Sequence, residues 1–402
     1  MDRSPVASLV RFDTDDPALI DDPYRAYARL RAAGPVARGG PGQWVFSHYA
    51  EVSALLRDER LGSEFPQAVH RLKLGDGPAC DFFTRILIDR DPPGHTRLRQ
   101  AMSRSFTPSA VRDLRDRVAG IVDDLIGRAL DRGGFDLVGD LALPLPVTVV
   151  CSLLGVPADD LELVRPRMVD LATGFGELTL TQEQRVAADG AVEWLRAYIG
   201  EHLDHRRRHP TSDQLSLMLE AESAGVSRAD LVDNAIFLFF AGFETTTSLV
   251  VNGTMALLDH PDQLARLRAE PEMATHAVEE LLRFDPPVQM SMRLVHAPLV
   301  VDGVTIRAGR VAVLLIGSAN RDERQFPDPD RLDIGRRPNP HLAFGGGHHY
   351  CLGAPLARIE GALVLDRLVR RCRSLELAGP PVRRPHASIR SYRSVPVTVT
   401  AA

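Results

Sequence analysis

Two short stretches of the 402-residue chain carry residues that a packed core does not ask for. The first is Phe237-Leu-Phe-Phe-Ala-Gly-Phe-Glu-Thr-Thr-Thr-Ser-Leu-Val-Val251, in which a glycine, a carboxylic acid and three threonines interrupt an apolar helical pattern. Phe237, Ala241, Glu244 or Thr245, and Leu249 recur at three- and four-residue steps and so share one helical face. Gly242 costs a helix roughly 1 kcal/mol relative to alanine. A buried carboxylate costs more, or keeps its proton. These residues fit a kinked helix with satisfied polar groups, Thr245 bonding back to the carbonyl of Ala241. They equally fit a groove in a helix wall, where a small molecule lies against the backbone while an acid and an alcohol handle protons.

The second stretch is Ala343-Phe-Gly-Gly-Gly-His-His-Tyr-Cys-Leu-Gly-Ala-Pro-Leu-Ala-Arg358. Leu352, Leu356, Ile359 and Leu363 recur at helical steps, with Pro355 in the first turn. Cys351 is therefore placed at the mouth of a helix, behind a glycine-rich loop. Helix N-termini stabilise anions, and their unpaired N–H groups can bond a thiolate. Glycines let the loop turn tightly and approach a flat partner. A lone cysteine is, by itself, also an ordinary buried hydrophobe. His341, His348, His349 and Cys351 have donor types suited to zinc, although the adjacent His348 and His349 suit one tetrahedral ion poorly.

The elements that must hold these stretches are mostly helical. Helical periodicity dominates from about residue 95 to 285, and strand signals lie toward the ends. Trp44-Val-Phe-Ser47 is expected as a strand. Leu299–Ile306, with Asp302-Gly303 at its centre, is expected as a hairpin continued by a buried Val311–Ile316, and Pro396–Val399 as a final strand. Ser227 with Asp230 is expected to open the long helix and His260-Pro261 to close it, about 30 residues later. With no repeat, linker or cut point, residues 1–402 are read as one domain.

Hydrophobic residues make up 44% and charged residues 25%, enough for a large core. A net charge of −5 with interspersed signs gives no footprint for nucleic acid. Met1–Arg11 holds no apolar segment suited to export or anchoring, and no stretch offers 18 uninterrupted apolar residues for a membrane span. Cys80, Cys151, Cys351 and Cys372 show no paired spacing. Together these features predict a soluble, reduced, cytoplasmic protein.

The pattern Phe344-x-x-Gly347-x-x-x-Cys351-x-Gly353 resembles the haem-binding loop of the cytochrome P450 haem-thiolate monooxygenases. Ala241-Gly242-Phe-Glu244-Thr245-Thr246 resembles that family's oxygen-binding helix and lies upstream of the cysteine, as in the family. The soluble N-terminus resembles the bacterial members. The resemblance implies a mainly α fold with a minor β portion, with haem b between the long central helix and the cysteine loop. Cys351 would ligate the iron, with Phe344, Gly345 and Gly353 around it. His95, Arg99, Arg293 and His349 would take the haem propionates. Ala241 and Gly242 would border the bound oxygen, and Glu244 and Thr245 would deliver protons. Glu280, Arg283 and Arg336 resemble the family's structural ion cluster. The Glu-x-x-Arg spacing alone says little, because Glu162/Arg165 and Glu193/Arg196 repeat it.

By helical facing Phe237, Phe240 and Ala241, and by resemblance Val288, Gln289 and Met290, the segment from Gly62 to Leu87, and the segment from Ala387 to Ile389 with Ser388 at its centre, would line the substrate pocket. The absence of a Gly-x-Gly-x-x-Gly fingerprint points to electrons from a separate ferredoxin with its ferredoxin reductase. Long arginines near Cys351 would suit an acidic partner. The implied activity is hydroxylation or epoxidation of a mostly apolar small molecule, in natural-product biosynthesis. A peroxide-driven enzyme, an oxidative coupling or desaturation, and a non-enzymatic haem sensor are the rival readings.

Overall fold

The computed structural model describes residues 11–13, 16–176 and 180–402. Residues 1–10, for which no export or anchor segment was expected, lie outside them. The backbone contacts group the chain into two compact units: residues up to Gly62 with Val122–Ala142 and Thr245–Ala402, and Ser63–Ile121 with Leu143–Glu244. The division falls inside the long helix Arg228–Asp259, here called the central helix.

The strands belong to the first unit. Its largest sheet runs in the order Val36–Arg38, Gln43–Phe46, Val311–Leu314, Ser291–Val295, Leu61–Gly62. Gln43–Phe46 pairs in parallel with Val311–Leu314, which is antiparallel to Ser291–Val295. Period-two alternation sends Trp44, Phe46, Ala312 and Leu314 to one core and Val45 and Val313 to another. A strand covered on both faces is apolar at successive positions, as Val311-Ala-Val-Leu is. The expected hairpin is present, Leu299–Val301 against Val304–Ile306, with Asp302 and Gly303 both at positive φ in its turn. Val311–Leu314 does not continue that hairpin, however; it crosses into the large sheet. Pro396–Ala401 lies between Gly134–Asp136 and Cys372–Leu377 in a second sheet. The described residues of the second unit contain no strand.

The central helix starts and stops where the sequence indicates. The Asp230 N–H donates to Ser227 Oγ at 3.1 Å, and the helix ends at Asp259, ahead of a new helix at Pro261. Its 32 residues span about 48 Å at 1.5 Å per residue. This helix and the stretch Leu137–Leu154 are long and apolar enough to cross a bilayer, although neither is 18 apolar residues without interruption. Of their most apolar windows, 72% and 67% are buried within the protein, as in core helices.

Candidate active site

Along the central helix every side chain from Leu231 to Phe240 is buried, and so is every one from Thr246 to Leu257. Between them Ala241, Gly242, Glu244 and Thr245 are partly exposed, and only Phe243 is buried. A helix buried on both flanks and open at its middle has a notch, and the notch coincides with the polar interruption of the sequence. Gly242 has a packing reason of its own: a Cβ there would lie 2.7 Å from Val150 Cγ2. The open face is therefore that of Ala241, Glu244 and Thr245. Phe237 and Phe240 are buried on the preceding turns.

The loop before the cysteine is built from strained-for-anything-else backbone. Gly345 and Gly347 have φ of +71° and +64°, and a Cβ on Gly347 would meet Leu56 O at 2.6 Å. The Cys351 N–H donates to Phe344 O at 2.9 Å, closing the loop just before helix Ala354–Arg371. A Cβ at Gly353 would meet no atom within 4 Å. Cys351 is exposed, whereas Cys80, Cys151 and Cys372 are buried. Burial raises the thiol pKa of all three, that of Cys151 to about 12, and an unreactive thiol is the consequence. No group of three or more His, Cys, Asp or Glu side chains among the described residues is placed to hold a metal ion. One exposed thiol, a glycine cradle and clearance at Gly353 suit a flat macrocycle held through a single thiolate; they do not suit a multi-donor zinc site.

A cluster that sequence reasoning missed braces this loop. Arg358 grips Glu279 through Nε–Oε1 at 2.7 Å and Nη2–Oε2 at 2.9 Å, and its guanidinium lies 4.4 Å from the Phe344 ring centroid. His341 Nε2 lies 3.1 Å from Glu279 Oε2, while its Nδ1 accepts the Ala343 N–H at 3.2 Å. This is the tautomer with the proton on Nε2, donated to the carboxylate. Burial opposes ionisation of Glu279, but the bonds from His341 and Arg358 prevail and hold its pKa at about 2. The signal available was a pair of successive glutamates: Glu279, about 100° round the helix from Glu280, turns to the cysteine helix.

Of the three Glu-x-x-Arg pairs, the structure buries one. Glu280 and Arg283 are both fully buried and joined by two bonds of 2.8 Å. Glu280 also accepts from Arg336 Nε, the Asp333 N–H and Asn339 Nδ2. Glu162 and Arg165 pair at 3.7 Å on the surface, and Arg196 binds Asp233 instead of Glu193. Arg293, on strand Ser291–Val295, donates to Ser291 Oγ and Met292 O. His349 is partly buried in the turn Gly347–His349. His95 is buried and Arg99 partly so on helix Gly94–Ser103.

The two segments named for the pocket meet: Val288 bridges to Ile389, and the Gln289 N–H donates to Ser388 O at 2.9 Å. Two of their side chains turn to the core. Gln289 Nε2 bonds Pro286 O and the Tyr24 hydroxyl, and Met290 packs with Tyr27 and Val313.

Glu360, on the cysteine helix, is buried, and its Oε2 has no hydrogen-bond partner among the described residues. Burial pushes its pKa from 4.5 to about 8. Between those values the unfolded chain releases a proton that the fold retains, so this group's cost to stability is absent below pH 4.5 and grows as pH rises toward 8. Glu360→Gln is expected to raise the Tm by roughly 2–4 °C at pH 8.5 and by no more than about 1 °C at pH 4.5. Thermal unfolding at both pH values checks this; an equal shift at both would refute a protonated Glu360.

The cytochrome P450 family model matches residues 178–388, just over half of the chain. Nocardicin C N-oxygenase from Nocardia uniformis subsp. tsuyamanensis is 39% identical over 398 residues, covering 95% of this chain and 97% of that protein. Cytochrome P450 monooxygenase PikC from Streptomyces venezuelae is 36% identical, covering 94% and 91%. The crystal structure of P450BioI in complex with a hexadec-9Z-enoic acid ligated acyl carrier protein superposes with a TM-score of 0.89 at 32% identity, covering 95% of this chain and 99% of that one. The chain belongs to the cytochrome P450 family and has its fold. It is a P450 monooxygenase of the haem-thiolate class, a class that takes a small-molecule substrate and electrons from a redox partner.

Proposed function

We propose that the whole chain forms one haem domain that hydroxylates or epoxidises a mostly apolar small molecule in natural-product biosynthesis. Cys351 carries the proposal, as the one exposed thiol, framed by positive-φ glycines at the mouth of a helix. Haem b bound through Cys351 would activate O2 and transfer one of its oxygen atoms to the substrate. Phe344, Gly345 and Gly353 would shape the sulfur side. His95, Arg99, Arg293 and His349 would pair with the propionates as charge-assisted donors. The open face at Ala241, with the backbone at Gly242, would border the bound oxygen.

Glu244 and Thr245 have the protonic role. The Thr245 hydroxyl, Oγ1, would donate to the oxygen and be resupplied by the Glu244 carboxyl one residue away. Thr245→Ala is expected to leave the haem spectrum unchanged and reductant consumption within about twofold, while product falls about tenfold or more and peroxide rises to match. Unchanged coupling of reductant to product would remove the relay. Product formed from peroxide, but not from O2 with an electron donor, would favour the peroxide-driven alternative.

The electron donor is proposed to be a ferredoxin with its reductase, docking near Cys351 against the long arginine side chains of that face. Its reduction rate is expected to fall as ionic strength rises. The substrate would be largely apolar, in keeping with the buried Phe237 and Phe240. A carrier-bound acyl group is the second reading, favoured by the acyl carrier protein bound to P450BioI.

A further inference from the structure

Two polar side chains, Asp233 and Asn234, stand side by side in the buried first half of the central helix, and the monooxygenase reading uses neither. Asp233 is held by Arg196, with Nε–Oδ1 at 2.7 Å and Nη2–Oδ2 at 2.8 Å, which ties the central helix to helix Gln182–Arg208. Asn234, with 0% of its surface exposed, grips the backbone of a different segment. The Leu87 N–H donates to Asn234 Oδ1 at 2.7 Å, and Asn234 Nδ2 donates to Arg85 O at 3.1 Å. Nδ2 also donates to Asp230 O at 2.8 Å, within its own helix. One side-chain amide thus satisfies an N–H and a C=O two residues apart, as a neighbouring strand would. The segment has use for it. It runs between helix Pro78–Phe83 and the short turn Leu87–Asp89, and its Ile86 and Leu87 are buried.

The position of this clamp is informative. Asn234 precedes Ala241 by seven residues and Thr245 by eleven, close to two and three helical turns, so all three lie on one face. About 10 Å of helix separates Asn234 from Ala241 at 1.5 Å per residue. Residues 85–87 are therefore held against the face that opens at the notch, roughly one aryl-substituted ring system away from it.

We propose that Asn234 is a specificity-determining positioning residue. By clamping Arg85 and Leu87 it fixes the far wall of the substrate space and limits how far a ligand extends along the central helix from Ala241. The inference rests on the haem-monooxygenase reading of the notch.

The test uses purified holoenzyme and two azoles that ligate haem iron through nitrogen and shift its Soret band. Imidazole is too short to reach residues 85–87, whereas econazole extends well beyond the iron. Asn234→Leu keeps the branched shape and removes all three bonds; Asn234→Asp keeps the acceptor for the Leu87 N–H and loses the donors. Asn234→Leu is expected to leave the imidazole Kd within about twofold and to weaken econazole on the order of tenfold, as loss of two backbone anchors implies. The Asp variant is expected to fall between, and it carries the test alone if the Leu variant yields no holoenzyme. Hydrogen exchange in the peptide spanning residues 84–90 is expected to accelerate in step. Faster exchange with both azole affinities unchanged would show that the clamped segment is no ligand wall. Equal weakening of both azoles would make Asn234 merely structural. Either result overturns the inference. A purified wild-type protein with no Soret band, grown with ample haem precursor, would overturn the haem reading beneath it, and the inference with it.

Discussion

Cys351→Ala is expected to abolish the thiolate-type Soret band of the reduced carbon monoxide complex and to lower turnover on the order of 10³ or more, the scale of removing an essential active-site group. The geometry leaves no substitute. Cys80, Cys151 and Cys372 are buried and their thiols are held protonated by that burial. His348 and His349 are close in sequence, but a nitrogen ligand lacks the electron donation of a thiolate, so haem caught by either would give a different spectrum. Because Cys351 is exposed, the substitution removes little packing and is expected to change apoprotein stability by no more than about 0.5 kcal/mol. Cys372→Ala is the contrasting control: a buried thiol whose loss costs stability and leaves the spectrum intact. The Cys351 variant retaining the thiolate-type band, or turning over at near the parent rate, would end the assignment.

What the sequence made legible was local. The notch was readable because its polar residues are contiguous, and the hairpin because an Asp-Gly pair marks its turn. Cys351 was readable because glycines and a helical pattern flank it. Pairings between distant residues were not. Gly134–Asp136 is three residues long and becomes a strand only because Pro396–Ala401 lies beside it. Val311–Leu314 looked like the next strand after the hairpin, yet its apolar run belongs to a sheet covered on both faces. Glu279 and Arg358 are 79 residues apart, and no spacing rule joins them. Gly242 is instructive in another way. Its place in the motif suggested room for a ligand, whereas the atom its hydrogen makes way for is Val150 Cγ2. Gln289 and Met290 were expected at a pocket by resemblance to the family, and both side chains pack toward the core.

Glu280→Gln is expected to destabilise the fold by about 3–5 kcal/mol, the usual cost of stranding one partner of a buried ion pair. The Glu280 carboxylate accepts five hydrogen bonds: two from Arg283 and one each from Arg336, the Asp333 N–H and Asn339. An amide in its place turns one acceptor into a donor facing other donors and leaves the Arg283 guanidinium buried without a counter-charge. Arg283 has nowhere to relax, since its remaining N–H groups already bond the carbonyls of Asn320, Pro329 and Arg331. Those carbonyls belong to the chain that runs toward Phe344, so loss of the pair is expected to loosen the cysteine loop and lower haem retention as well as stability. Glu162→Gln, in the exposed pair of identical spacing, is expected to cost less than about 0.5 kcal/mol. Urea unfolding of both variants, with haem content per protein measured alongside, distinguishes the two environments. A Glu280→Gln protein within about 1 kcal/mol of its parent, with full haem content, would show that burial of the pair is not what holds the loop in place.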